Sequence, residues 1–177
     1  MSEVIKSFGP RVGWADSRGA WPEMVFSTRV RFARNIEGFE FTGRAHPDKL
    51  SNIRRLAFAA LKGTGLFPRG HFLKTETLSQ VEKGFLAERH HISPVLAGTA
   101  MPAGAVVSDG EDISVMVNEE DHLRLQCLVS GFAIPEAFAA ALKLDEAAGA
   151  ELTFAFGEKF GFLTACPTNA GTGMRIS

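Results

Sequence analysis

The chain has 177 residues, room for one domain with a small annex. Lys+Arg 19 against Asp+Glu 20 leaves a formal net charge of -1, so no overall basic field points to nucleic acid and no acidic tail to disorder. Hydrophobic residues make up 45%, ordinary for a fold with a real core, and no stretch is long and apolar enough to span a bilayer. The two cysteines, Cys127 and Cys166, are too far apart for a zinc knuckle and too few for a disulfide framework. They suit a reducing compartment, and the polar N-terminus carries no apolar leader, so a cytoplasmic protein is expected.

Met1 to Pro22 is polar, carries Gly and Pro, and is expected to be pinned to the body by Trp14 and Trp21. Residues 1–23 thus form an N-terminal extension, and residues 24–177 the main body. Met24 to Phe32 alternates: Met24, Phe26, Val30 and Phe32 on one face, Ser27, Arg29 and Arg31 on the other. Period two predicts a half-buried strand with the arginines on its polar face. Ile36 to Phe41 is a candidate short strand. Pro47 can open a helix whose apolar positions run from Leu50 to Leu61, and Gly63 ends it. Gly65 to Gly70 is a turn. Thr77 or Ser79 can cap a second helix with Leu78, Val81, Phe85 and Leu86 inward, and Glu88 to Pro94 closes it.

Gly104 to Val117 predicts a hairpin around Asp109-Gly110. Pro135 starts an alanine-rich helix through Leu144. Glu151 to Phe156 and Gly161 to Ala165 predict a second hairpin. Hairpins with helices between them indicate an α+β fold, an antiparallel sheet flanked by helices.

Three stretches carry chemistry. Ser27, Arg29, Arg31 and Arg34 are a charged run with no acidic residue interleaved. A solvated outer face is the ordinary reading of such a run. Like charges side by side on one strand nevertheless repel unless an anion sits between them, and guanidinium forks match phosphate oxygens. Asn118 to Arg124 (NEEDHLR) offers Glu119 and Glu120, then His122 and Arg124. If the strand continues past Asn118, Asn118, Glu120, His122 and Arg124 share a face and Glu119 points away. A charged strand end, a metal site without repeated ligand spacing, and a carboxylate that orients a cationic substrate and accepts its proton are the three readings. Cys166 stands at a strand-to-loop junction, where nearby arginines would favour a thiolate, whereas Cys127 lies in an apolar run and reads as core. Gly171-Thr172-Gly173 before Arg175 could turn backbone N–H groups to phosphate. His90 and His91 carry little on their own.

STRVRFARN, ERHHISP, VNEEDHLR and GFLTACPTNAGTGMR, in that order, resemble the ATP:guanido phosphotransferase family, which includes creatine and arginine kinases. Within it the chain is most similar to the bacterial protein-arginine kinases, because the arginine strand begins close to the N-terminus. The resemblance implies the family's catalytic-domain fold over residues 24–177, of the glutamine-synthetase-like type. It implies that Ser27, Thr28, Arg29, Val30, Arg31, His90, Arg124 and Arg175 hold ATP. Glu120 would orient the substrate guanidinium and act as base, and Cys166 would contact it as thiolate. Magnesium (Mg2+) would bridge the phosphates. The implied activity is phosphorylation of arginine side chains in client proteins, linked to protein quality control through an activator and the Clp protease machinery, with no nucleic acid or membrane partner. A kinase for a small guanidino metabolite and a non-catalytic nucleotide- or partner-binding relative are the alternatives. The family pattern continues past the position of Ser177 with more sheet and a second catalytic carboxylate. A partial catalytic domain is therefore expected, with exposed sheet edges that favour self-association into a homo-oligomer.

Overall fold

A computed structural model describes residues 2–16 and 18–177; Met1 and Ser17, both in the expected extension, lie outside them. In chain order the elements are α1 (Glu3–Ser7), β1 (Ser27–Arg34), α2 (Pro47–Gly63), β2 (His71–Lys74), α3 (Gln80–Glu88), α4 (Pro94–Gly98), β3 (Gly104–Val107), β4 (Ile113–Val117), β5 (Leu123–Ser130), α5 (Ile134–Glu151), β6 (Phe156–Gly157), β7 (Gly161–Phe162) and β8 (Met174–Ile176). Six strands form one antiparallel sheet in the order β2-β3-β4-β5-β1-β8, and β6 and β7 form a small separate hairpin. This is the α+β fold the hairpin cues imply.

Most elements form where local chemistry asks for them. Pro47 sits in the first turn of α2, and Ser79 caps α3 in a reciprocal box with Glu82. The Asp109-Gly110 hairpin joins β3 to β4. Elsewhere the pattern misleads. β1 begins only at Ser27, because Met24 and Val25 turn back onto the Trp21 carbonyl, which leaves Met24 and Phe26 exposed. Ile36 to Phe41 makes one isolated bridge, Ile36 to Phe154, and no strand. α5 runs on to Glu151, so the second hairpin starts later than expected. Val81 faces solvent. The short β2 is an element that sequence reading passed over.

The two faces of the sheet are covered unequally, and this positions the site. On one face α2 and α5 lie against Val30, Phe32, Leu123, Leu125 and Cys127 in the main core. On the other face Leu78, Leu86 and Leu96, from around α3 and α4, meet Ala105, Val107 and Met116 of β3 and β4. The β5-β1-β8 half of that second face carries side chains of another kind. Trp14 is buried there beside His90 with ring centroids 5.5 Å apart, while Trp21 stacks on Phe132 and stays exposed.

Arg34 departs from the row of strand arginines. Its even position turns it off the Arg29–Arg31 face, and it is 2% exposed. It meets Asp145 of α5 in a two-pronged ion pair (2.8 and 2.7 Å), donates to the Ala33 and Thr172 carbonyls, and lies 3.6 Å over the Phe162 ring. The acidic partner missing from the local sequence comes from 111 residues downstream. Asp145→Ala leaves this cation buried and unpaired. It is expected to cost about 3–5 kcal/mol in urea unfolding, and a variant as stable as the parent would overturn the account.

His122 also turns inward. It is fully buried, its Nδ1 accepts from the Ile36 N–H (3.0 Å) and its Nε2 lies 2.8 Å from the Glu40 carbonyl. A carbonyl accepts only, so the ring is the neutral Nε2–H form. Burial holds its pKa below the ordinary value, against the opposing pull of the Glu40 carbonyl and Asp121. The unfolded imidazole takes up a proton near about pH 6.5, and the folded one only at lower pH. Stability is therefore full above that value and is lost as pH falls through it; burial of His71 and His90 acts with the same sign. The urea midpoint is expected to be lower at about pH 5.5 than at about pH 7.5; equal midpoints would contradict the assignment.

Candidate active site

Alternation along β1 sends Ser27, Arg29 and Arg31 to the half-face left free by α3 and α4. Cross-strand pairing then sets Arg31 opposite Arg175 of β8 on one side and Gln126 of β5 on the other. Arg124, two residues from Gln126, shares that face. Like charges directly opposite one another destabilise a sheet. Here they converge: burial and then Arg29, Arg124 and Arg175 push the Arg31 pKa down to about 10, with only Glu119 acting the other way. Arg29 is lowered by the same causes, burial first and then Arg124 and Arg175. The Arg31 Nε is buried and, among the described residues, has no hydrogen-bond partner. A buried donor without an acceptor, among cations without enough carboxylates, is suited to an anion.

The acidic turn is built differently from a continued strand. β4 stops at Val117, and the Asn118 N–H donates to the His122 carbonyl (3.0 Å) to close a tight turn. Both glutamates therefore lie on the Arg124 side rather than on opposite faces. Glu119 reaches the Arg124 Nη2 at 2.8 Å, accepts from the Ser93 hydroxyl at 2.6 Å, and has a side chain only 4% exposed. Glu120 stands 3.6 Å from the same nitrogen with its side chain 44% exposed. Glu119 is thus committed to holding Arg124, and Glu120 is the free carboxylate of the pair.

Cys166 is held opposite this turn. Its sulfur lies 3.0 Å from the Thr168 hydroxyl, and its carbonyl accepts from the Thr164 hydroxyl (2.7 Å). Two buried polar residues fix the segment before it. Asn35 donates to Asp121 (2.7 Å) and to the Leu163 carbonyl (3.0 Å), and accepts from the His122 N–H (2.9 Å). The same Asp121 oxygen accepts from the Ala165 N–H (2.7 Å). Asn35 and Asp121 therefore lock the end of β1, the acidic turn and the segment leading to Cys166 together. Sequence reading missed both, since an asparagine after an arginine strand and an aspartate in an acidic run look solvated.

The result is a cavity of about 250 Å³ whose lining includes Arg31, Arg124 and Arg175 with Glu120, Cys166 and Thr168. Arg29 and Ser27 continue the same face toward Ser177 and Ser130, where the Arg29 Nε donates to the Ser177 hydroxyl (3.4 Å). His90 has a left-handed backbone (φ 61) and is close enough to Arg29 for that charge to lower its pKa further, burial being the larger cause. Thr28 and Val30 do not turn their side chains here. The Thr28 hydroxyl donates to the Gly131 carbonyl (2.6 Å) and accepts from the Ala133 N–H (2.9 Å) ahead of α5, and Val30 is in the core. Gly173 lines the cavity with φ 65, and a Cβ there would lie 2.6 Å from the Ala33 carbonyl oxygen, so only glycine lets β8 approach β1. Among the described residues no group of three or more His, Cys, Asp or Glu could hold a metal, and no helix is long and apolar enough to cross a membrane.

Comparison with known proteins gives the chain a family and a fold. Residues 52–177 match the profile described as ATP:guanido phosphotransferase, C-terminal catalytic domain. A protein-arginine kinase of Halothermothrix orenii is 39% identical over 164 residues, covering 93% of this chain and 47% of that protein. One from Moorella thermoacetica is 40% identical over 167 residues, covering 93% and 48%. The chain thus spans about half the length of the curated relatives it matches. Among solved structures, the duplicated taurocyamine kinase of Schistosoma mansoni with bound transition state analog components superposes with a TM-score of 0.81 at 26% identity, over 86% of this chain and 23% of that one. Lombricine kinase, at 20% identity and a TM-score of 0.79 over 98% of this chain and 55% of its own, shares the fold. With its catalytic-domain profile matched over 52–177, the chain belongs to the ATP:guanido phosphotransferase family.

Proposed function

We propose that this chain carries the phosphate-binding and acceptor-activating part of an ATP-dependent kinase acting on arginine side chains in proteins. The observation that carries the reading is the single cavity in which Arg31, Arg124 and Arg175 face Glu120 and Cys166. The relatives named protein-arginine kinases favour a protein-borne guanidinium over a free metabolite.

The chemistry follows from the two walls. The β1, β5 and β8 arginines bind the triphosphate, with the orphan Arg31 Nε among the donors. Magnesium would arrive on the phosphates, neutralising part of their charge. Phosphoryl transfer needs mostly alignment and charge stabilisation, which guanidinium groups on paired strands supply without reorganising. A guanidinium is a poor nucleophile while protonated. Glu120 accepts its proton as one guanidinium nitrogen attacks the γ-phosphorus; a P–N bond forms, the bond from that phosphorus to the bridging oxygen breaks, and the electron pair leaves on ADP. The Cys166 sulfur holds the guanidinium from the other side. Glu119 keeps Arg124 aimed at the phosphates. Asn35 and Asp121 keep the carboxylate and the sulfur on opposite sides of the acceptor.

Radiolabelled ATP offered with casein or with free arginine tests the reading. Label is expected on casein arginines, and transfer to free arginine alone would reject a protein substrate. Glu120→Gln is expected to lower kcat by roughly 10²–10⁴-fold, and Cys166→Ala to lower it as well. If neither variant alters transfer, the catalytic roles fall. Arg31→Ala is expected to weaken ATP by about 1.5–3 kcal/mol, the worth of a charge-assisted hydrogen bond, read as a rise in Kd by nucleotide titration. Unchanged ATP affinity would remove Arg31 from the phosphate site.

A further inference from the structure

The last turn of α3 closes in the pattern in which a helix C-terminus normally takes glycine. The His90 N–H donates to the Ala87 carbonyl (3.0 Å) and the His91 N–H to the Leu86 carbonyl (2.9 Å). The residue in the left-handed position of that pattern is His90, with φ 61. A side chain there strains the backbone where glycine would not. An imidazole thus stands at a position where local stability favours none, and such strained positions cluster at ligand clamps and active sites.

What holds this turn is Glu111, a buried carboxylate that the proposed mechanism does not use. It sits in the β3-β4 connection, is 3% exposed and has a left-handed backbone of its own, φ 60. Its two carboxylate oxygens accept from the Arg89 Nη1 at 2.7 and 2.8 Å, and Oε2 also accepts from the His91 Nε2 at 2.8 Å. It thus grips the residues on either side of His90. Burial pushes its carboxyl upward, but the His91 and Arg89 hydrogen bonds outweigh burial and hold the group below its ordinary value. The remaining contacts of the turn lead to the arginine face. The His90 carbonyl accepts from the Gln126 amide, which also donates to the Ser114 hydroxyl (2.8 Å), and Gln126 is the cross-strand neighbour of Arg31. Residues of the N-terminal extension close over the pair, Trp14 against His90 and Phe8 stacked on His91 with centroids 5.8 Å apart.

We infer that Glu111 is a positioning residue for the nucleotide: by gripping Arg89 and His91, it holds His90 in a left-handed turn that presents the imidazole beside the β1 arginines. The inference rests on the proposed function and adds to it a residue outside the cleft. A carboxylate suits the task because its two oxygens accept from both neighbours at once, whereas an amide offers a single acceptor oxygen. Its base is firm, since the Glu111 N–H donates to the Ser108 carbonyl (3.0 Å) and the Ser108 hydroxyl to Asp112 (2.8 Å). A purely structural Glu111 would affect stability and leave the affinity of the folded protein for ATP unchanged. A positioning Glu111 affects ATP affinity, and that effect vanishes once the His90 side chain is gone.

The test measures ATP binding by calorimetry, the KM for casein and the urea midpoint, all on the full chain. Glu111→Gln is expected to raise the Kd for ATP about three- to tenfold, the size of effect of residues that shift binding without touching the ligand. The KM for casein is expected to keep its parent value. His90→Gly removes the imidazole and relaxes the backbone, so it is expected to weaken ATP at least as much, with a urea midpoint no lower than the parent's. In the His90→Gly background, Glu111→Gln is expected still to lower the urea midpoint but to leave the Kd for ATP unchanged, the non-additivity of one residue acting through another. Arg89→Lys keeps the charge and loses the guanidinium fork, and it makes the same comparison if Glu111→Gln does not fold. A parent Kd for ATP in Glu111→Gln or in His90→Gly overturns the inference and leaves the kinase reading standing. Additive losses in the double variant, or equal losses for ATP and casein, overturn it as well. The expected pattern of ATP binding without phosphotransfer to casein supports the inference and rejects the kinase reading. A parent chain that does not bind ATP overturns both.

Discussion

Four guanidinium groups held on one half-face of a sheet are the constraint around which the rest of this structure is arranged. Arg29 and Arg31 repeat along β1, Arg175 lies across from Arg31 on β8, and Arg124 projects from β5. Paired strands give them no freedom to splay apart. The nearest relief is Glu119, which is already shared between Arg124 and Ser93. The positive charge left over suits an anion. It also explains why α3 and α4 cover only the β3-β4 half of this face, since apolar helices laid over the arginines would bury cations without partners.

The opposite face does the structural work. α2 and α5 bury Leu50, Ile53, Leu61 and Leu144 against Val30, Phe32 and Leu125, so β1 is fixed by its even-numbered side chains while its odd-numbered ones serve the cleft. Thr28 and Arg34 belong to the first group: one steadies the turn into α5, the other pairs with Asp145 and packs on Phe162. One strand thus divides its residues between the core and the cleft by parity alone. A slip of one residue would exchange the two sets.

Several features were legible in the residues. The hairpin at Asp109-Gly110, the Pro47 helix, the Ser79 cap and the alternation of β1 rest on local chemistry, and each formed. The polar face of Ser27, Arg29 and Arg31 followed from period two, and the motif order pointed to the family. Other features were not legible, each for a physical reason. Arg34 looked like one more cation because its partner lies in α5. A strand continued past Asn118 would put Glu119 and Glu120 on opposite faces, but the segment is a turn closed by a backbone hydrogen bond. The reach of α5 to Glu151 was underestimated because alanine-rich segments give little periodic contrast.

The sequence by itself determined which residues share a strand face and which short segments turn, because those follow from the two-residue and 3.6-residue repeats and from capping and turn chemistry. It also supplied every charged and nucleophilic group of the cleft. Only the tertiary structure decided which of those groups meet. Asn35 and Asp121 join segments 86 residues apart, and no periodicity records that contact. The same packing separates Glu120 from Glu119 and turns His122 into the core. Side-chain environment is a property of long-range packing, and that is where a charged residue becomes structural or chemical.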